Sequence, residues 1–146
     1  MKRLIPLLMV LSALFPSCKE EEFPEPEQVF RRWTSSLKNL NYQDYRSCEA
    51  YPKEEGVFRE MFRYTYYRDC GVKEFDDLDE GDVKKDFQGN KYLERKVLFE
   101  CAEVARKTGK QLQTVRGDVA FVKFLSGSRD KDGWLLWHRT MYRINQ

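Results

Sequence analysis

RGDVAFVKFLSGSRDKDGWLLWHRTMYRI, residues 116–144, sets two apolar runs on either side of SGSRDKDG, a loop of turn-forming residues. The runs are rich in β-branched and aromatic side chains, so they read as two strands of a hairpin. A loop centred near Asp130 sets Phe124 opposite Leu135, Val122 opposite Trp137 and Ala120 opposite Arg139. Extending that face back through the KTGK turn at 107–110 adds Val97, Phe99 and Cys101. Across the long 79–91 connection it adds Cys70 and Val72, and Met141 joins at the far end of the last strand. A one-residue slip would move a strand's apolar set to the opposite side. Agreement over Tyr67–Leu78, Tyr92–Arg106, Leu112–Leu125 and Trp134–Ile144 therefore predicts a four-stranded antiparallel meander. Leu93, Val97, Cys101 and Ala105 also fit a helical period, so the second strand has a helical alternative.

Upstream the period changes. Val29, Phe30, Trp33, Leu37 and Leu40 recur at three- and four-residue spacing, the stripe of a helix with one buried face, and Pro26 stands at its start. Tyr42, Tyr45 and Cys48 predict a shorter helix ending before Pro52, and Val57, Phe58, Met61 and Phe62 a third. Helices followed by strands make an α+β chain, with the N-terminal helices packed on a curved four-stranded meander.

The first 17 residues belong to neither pattern. Lys2 and Arg3 precede Leu4–Phe15, an apolar run of 12 residues, whereas a bilayer span needs roughly 20. Such a run reads as a secretory signal. Phe15-Pro16-Ser17-Cys18 resembles the lipobox of bacterial lipoproteins, with an apolar residue at −3 and a small one at −1, although Phe15 and Pro16 depart from its commonest form. The resemblance implies a palmitate-bearing Cys18 and an exported, membrane-anchored protein on the outer-membrane or periplasmic face of the cell envelope. The alternative is cleavage near Ser17 with Cys18 kept as a thiol. Residues 18–26, CKEEEFPEP, are charged and interrupted by proline, as a solvated tether requires. Residues 27–146 then form one α+β domain, about the size that supports its own core.

Removing residues 1–17 lowers the basic count from 26 to 24, against 24 acidic residues. A neutral chain without a polybasic run predicts neither nucleic-acid binding nor a general attraction to anionic membranes. Its partners are instead expected to be the membrane, through the acyl anchor, and an envelope or surface protein.

From residue 27 onward the element order and the aromatic closing hairpin resemble the nuclear transport factor 2-like superfamily, the cystatin-like cone found in small exported bacterial lipoproteins. That likeness implies a fold shared by isomerases, dehydratases and non-catalytic accessory domains, so it does not select an activity. Its enzymes carry acid–base groups in the mouth of the cone. The single histidine here, His138, is placed by the pairing above with Phe121, Trp134, Leu136 and Tyr142, away from the apolar face. His138, Trp134, Tyr142 and Phe121 are therefore the candidate pocket of a small-molecule binder or isomerase-like enzyme. No second residue is tied to His138 by spacing, so no catalytic residue is assigned, and an exposed sheet histidine is the simpler reading.

Three further strings are read in the same way. Ser128, Asp130, Asp132 and Gly133 follow half of a calcium loop, but Arg139 stands where the closing glutamate belongs, so a hairpin turn suffices. Glu74, Asp76, Asp77, Asp79, Glu80 and Asp82 form a solvated acidic loop or a cation-binding surface. Arg116-Gly117-Asp118 spells an adhesion tripeptide within a strand, where Gly117 also suits a bend, leaving surface adhesion as a further alternative. No Cys/His cluster implies a metal, and no cofactor is expected. With Cys18 acylated, Cys48, Cys70 and Cys101 remain; the pairing places Cys70 opposite Cys101 as the candidate disulfide, leaving Cys48 a buried thiol.

Overall fold

A computed structural model describes residues 24–75 and 82–144; the signal, Cys18, the start of the tether and the acidic positions Asp76, Asp77, Asp79 and Glu80 lie outside them. Among the described residues three helices come first: α1 (Pro26–Asn39), α2 (Tyr42–Cys48) and α3 (Glu55–Met61). In α1, Pro26 occupies the first turn, where its missing N–H has no intrahelical role, and Glu25 with Gln28 forms a capping box. The helix stops where Leu40 turns left-handed at φ 49°. Asn41 starts α2 by accepting the Asp44 N–H at 3.2 Å.

The strands are β1 (Thr65–Phe75), β2 (Lys84–Lys85), β3 (Lys91–Ala105), β4 (Gln111–Phe124) and β5 (Trp134–Ile144). They form an open antiparallel sheet of order β1-β3-β4-β5, with β2 paired to β3. The described residues are thus α+β with five strands, one short strand more than the sequence pattern predicts. Residues 91–105 are a strand and not a helix: β1 and β4 pair with them on both sides, and those ladders outweigh the helical spacing.

Register agrees with expectation at Val72 and Phe99, and each ladder between long strands carries at least one irregularity. Val72 faces Phe99 across β1 and β3. In the last hairpin, however, Val122 faces Leu135 where uninterrupted alternation puts Trp137, and Phe121 faces Leu136. Ala120 then faces His138 and Val119 faces Arg139, so Trp137 is an extra residue in β5. A second irregularity lies between Glu103 and Val104. Each bulge inverts the facing of the strand residues beyond it.

Val97, Phe99 and Cys101 therefore share a buried cluster with Val115, Val119, Phe121, Trp134 and Leu136, and not with Ala120, Val122 and Phe124. That cluster includes Phe30, Trp33, Tyr45 and Phe58 of the helices. Val122, Phe124 and Leu135 join Tyr92 and Ala50 in a second cluster, packed against Trp137. Val119–Val122 is apolar at consecutive positions because β4 is covered on both sides. The cover comes from the segment after α2, where the Ala50 N–H donates to the Leu136 carbonyl at 2.7 Å.

Candidate functional site

The bulge at Trp137 turns Arg139, Met141 and Arg143 toward the side of β4 that carries Val115, Gly117 and Val119. Two cations thus arrive where the alternation calls for apolar side chains, and a buried carboxylate meets each. Glu49, 5% exposed, accepts the Trp33 indole N–H at 2.8 Å and an Arg139 N–H at 3.0 Å, both on Oε1. The Arg139 guanidinium also lies 4.7 Å from the centre of the Trp33 ring, a cation–π contact. Glu103, 3% exposed, accepts from the Gln113 amide, from Thr65 and from the Arg143 guanidinium.

Burial raises the Glu49 carboxyl above the ordinary carboxylate range, against the opposing pull of Arg139 and the Trp33 N–H. Burial also raises the Tyr45 and Tyr67 phenols, helped by the neighbouring charges of Glu49 and Glu103 respectively. Trp33 stacks on Tyr67 with ring centres 6.3 Å apart. Beside Glu49 opens a cavity of about 570 Å³, with Gln43, Arg46, Ser47, Arg129 and Leu135 on its walls. Arg129 is held by the Ala50 carbonyl at 2.9 Å and by Asp132 at 3.0 Å. A buried carboxylate with a raised pKa on a cavity wall can hold or pass a proton, or accept a ligand's N–H or O–H.

The four candidate pocket residues do not meet. Phe121 and Trp134 are buried in the main cluster. His138 is exposed, opposite Ala120, with its ring 5.5 Å from that of Trp137, and Tyr142 is 61% exposed. Uninterrupted pairing places all four on one face because it lacks the extra residue between Leu136 and His138. Cys70 and Cys101 are joined by a disulfide, and Cys48 is a buried free thiol whose pKa burial pushes up to about 11.

In SGSRDKDG, Asp132 pairs with Arg129, and among the described residues no group of His, Cys, Asp and Glu could hold a metal. The adhesion tripeptide lies in β4 between two ladder partners, with Gly117 facing Phe99 and Met141 and Arg116 paired to Glu100. A Cβ on Gly117 would press on the Thr140 carbonyl, with its carbon at 2.9 Å; a close approach of β5, and not a bend, requires glycine. No helix among the described residues is long and apolar enough to cross a membrane.

No protein-family model matches this chain, and no curated protein matches it either.

Proposed function

We propose that the protein is an exported bacterial lipoprotein, held to the cell envelope through an acylated Cys18, whose nuclear transport factor 2-like cone of helices on a curved sheet serves as a non-catalytic binding or accessory domain. The observation that carries this is a filled interior. Phe30, Trp33, Tyr45, Phe58, Phe62 and Phe99 occupy one buried cluster, and both buried carboxylates already accept from fixed donors. His138 stands outside that interior, so the residue type best suited to proton transfer at neutral pH has no enclosed substrate to serve.

Cys18→Ser is expected to move the protein from the membrane to the soluble fraction and to abolish incorporation of labelled palmitate. One acyl chain gives only marginal binding, whereas two or more hold a protein stably. A Cys18→Ser protein that stays with membranes and still takes up palmitate would end the lipoprotein reading.

A second reading, a small-molecule binder or isomerase-like enzyme, is favoured by the cavity beside Glu49. Glu49→Gln separates the two, since it keeps an acceptor for Trp33 and Arg139 but removes the exchangeable proton. An accessory domain should complement a deletion strain fully with Glu49→Gln. A folded Glu49→Gln protein that fails to complement would transfer the assignment to the second reading.

A further inference from the structure

The turn after β2 carries the most exposed large apolar side chain among the described residues, Phe87 at 93%. It is a built turn. Asp86 Oδ1 accepts the backbone N–H groups of Gln88 and Asn90 at 2.9 and 2.8 Å, and Oδ2 accepts the Asn90 amide at 3.0 Å. The Asp86 N–H donates to the Asn90 carbonyl at 3.0 Å, and Gly89 supplies the left-handed residue at φ 84°. A rigid turn thus presents an aromatic ring to solvent, where an isolated domain gains nothing from it.

The charges beside it are equally costly in isolation. Lys85 stands directly opposite Lys91 in the ladder, and like charges so placed destabilise a sheet. Lys84 is neutralised by Glu94 at 3.2 Å, but no ion pair joins Lys85 or Lys91 to a described residue. Val83 and Leu125 are also exposed, and the Leu125 N–H donates to the Lys91 carbonyl at 2.8 Å. Apolar tips flanked by lysines that make no ion pair among the described residues match the interface of an anionic bilayer, where the ring enters the headgroup boundary and the lysines meet phosphate.

The start of the domain lies at the same end. Glu25, just before α1, contacts Arg95 at 3.4 Å, and Arg95 is four residues along β3 from Lys91, roughly 13 Å. Cys18 precedes Pro24 by six residues, a reach of about 20 Å at most. An anchor at Cys18 therefore holds this end, and not the end with the KTGK turn, near the lipid.

We propose that the Phe87 turn, with Lys85 and Lys91, docks on the anionic phospholipid surface of the membrane that holds Cys18 and so fixes the orientation of the domain. This rests on the lipoprotein reading above. The test uses the full chain, acylated and purified, with Phe87→Cys, and compares it with Leu112→Cys, which is exposed near the opposite end of the sheet. Cys48 is buried and Cys70 is bonded to Cys101, so neither competes for a membrane-impermeant maleimide.

In vesicles of phosphatidylcholine with phosphatidylglycerol, Phe87→Cys should react about tenfold more slowly than Leu112→Cys, as expected of a group sunk into the headgroup boundary. Phosphatidylcholine alone, or Lys85→Glu with Lys91→Glu, should erase most of that difference. Equal rates at the two positions in protein that floats with the vesicles overturn the docking and leave the anchor standing. Protection found in native membranes but not in the vesicles assigns the tip to a protein partner and overturns the lipid surface. Full-length chain recovered unacylated in the soluble fraction removes the anchor, and the docking with it.

Discussion

Replacing Arg139 with leucine is expected to destabilise the domain by about 3–5 kcal/mol at neutral pH, the usual consequence of leaving a buried charge without its partner, and by much less in acid. The target of that loss is Glu49, which keeps only the Trp33 N–H once the guanidinium has gone. Its carboxyl is already raised above the ordinary 4.5 by burial, and Arg139 is the strongest influence holding it down. A carboxyl with a raised folded-state pKa binds its proton more tightly in the native protein than in the unfolded chain. Its contribution to stability therefore falls as pH rises from the ordinary carboxylate value through the raised one, and returns as pH falls. Removing Arg139 moves the folded pKa further up and widens that window. Urea unfolding at neutral pH and again at the ordinary carboxylate value, the acid edge of that window, should show the Arg139→Leu deficit shrinking on the acid side. Glu49→Gln in the same chain should remove the difference between the two pH values. A deficit that is the same at both would mean that Arg139 acts through its contact with the Trp33 ring alone.

Arg139 also shows how far the fold can be read from residues. The helices are legible because Val29, Phe30, Trp33 and Leu37 repeat with the helical period and bury their common face, while Pro26 marks the start of α1; its end is not, since Leu40 continues the apolar spacing yet caps the helix. The facing of Val72 and Phe99 is legible because the apolar residues of β1 and β3 alternate on matching index sums. The β4–β5 register is not, because a bulge adds a residue without a compositional mark, and WLLWHR offers no glycine to betray the extra position at Trp137. Once the facing inverts, His138 parts from Phe121 and Trp134 and goes to solvent, and Arg139 moves from beside Ala120 to beside Val119 in the main cluster. A trace of this is present in the sequence: Arg139 shares its alternation with Met141, which the pattern places on the apolar face. A cation in such a row asks for a buried acid, but Glu49 lies 90 residues away at the end of α2, where no spacing rule reaches. Phe87 is the opposite case, since its exposure depends on the Asp86–Asn90 turn and not on any periodicity.

Loss of the Cys70–Cys101 bridge is expected to cost a similar amount for a different reason. The two cysteines are 31 residues apart, and on the chain-entropy account a loop of that length stabilises the fold by about 3–4 kcal/mol through restriction of the unfolded chain. Locally the bridge also stands where β1 is least secured by its ladder. Asp69 takes a left-handed φ of 53°, and register shifts separate Arg68 from Gly71 and Val72 from Glu74. Backbone pairing is thus interrupted on both sides of Cys70, at an edge strand with a neighbour only in β3. Cys70→Ala with Cys101→Ala should lower the urea midpoint by the full amount. Hydrogen exchange should rise first in β1 from Asp69 onward, ahead of Thr65–Arg68, whose pairing with Ala102–Ala105 stays regular. Peptide mapping without reduction should show one Cys70–Cys101 peptide and an unmodified Cys48, because burial holds that thiol protonated at neutral pH. A Cys48 bridge to either partner would overturn the β1–β3 register, since Cys48 and Cys101 would then have to exchange neighbours within the core. An unchanged midpoint after reduction would leave the register intact and show that the unfolded chain keeps these strands close without the covalent link.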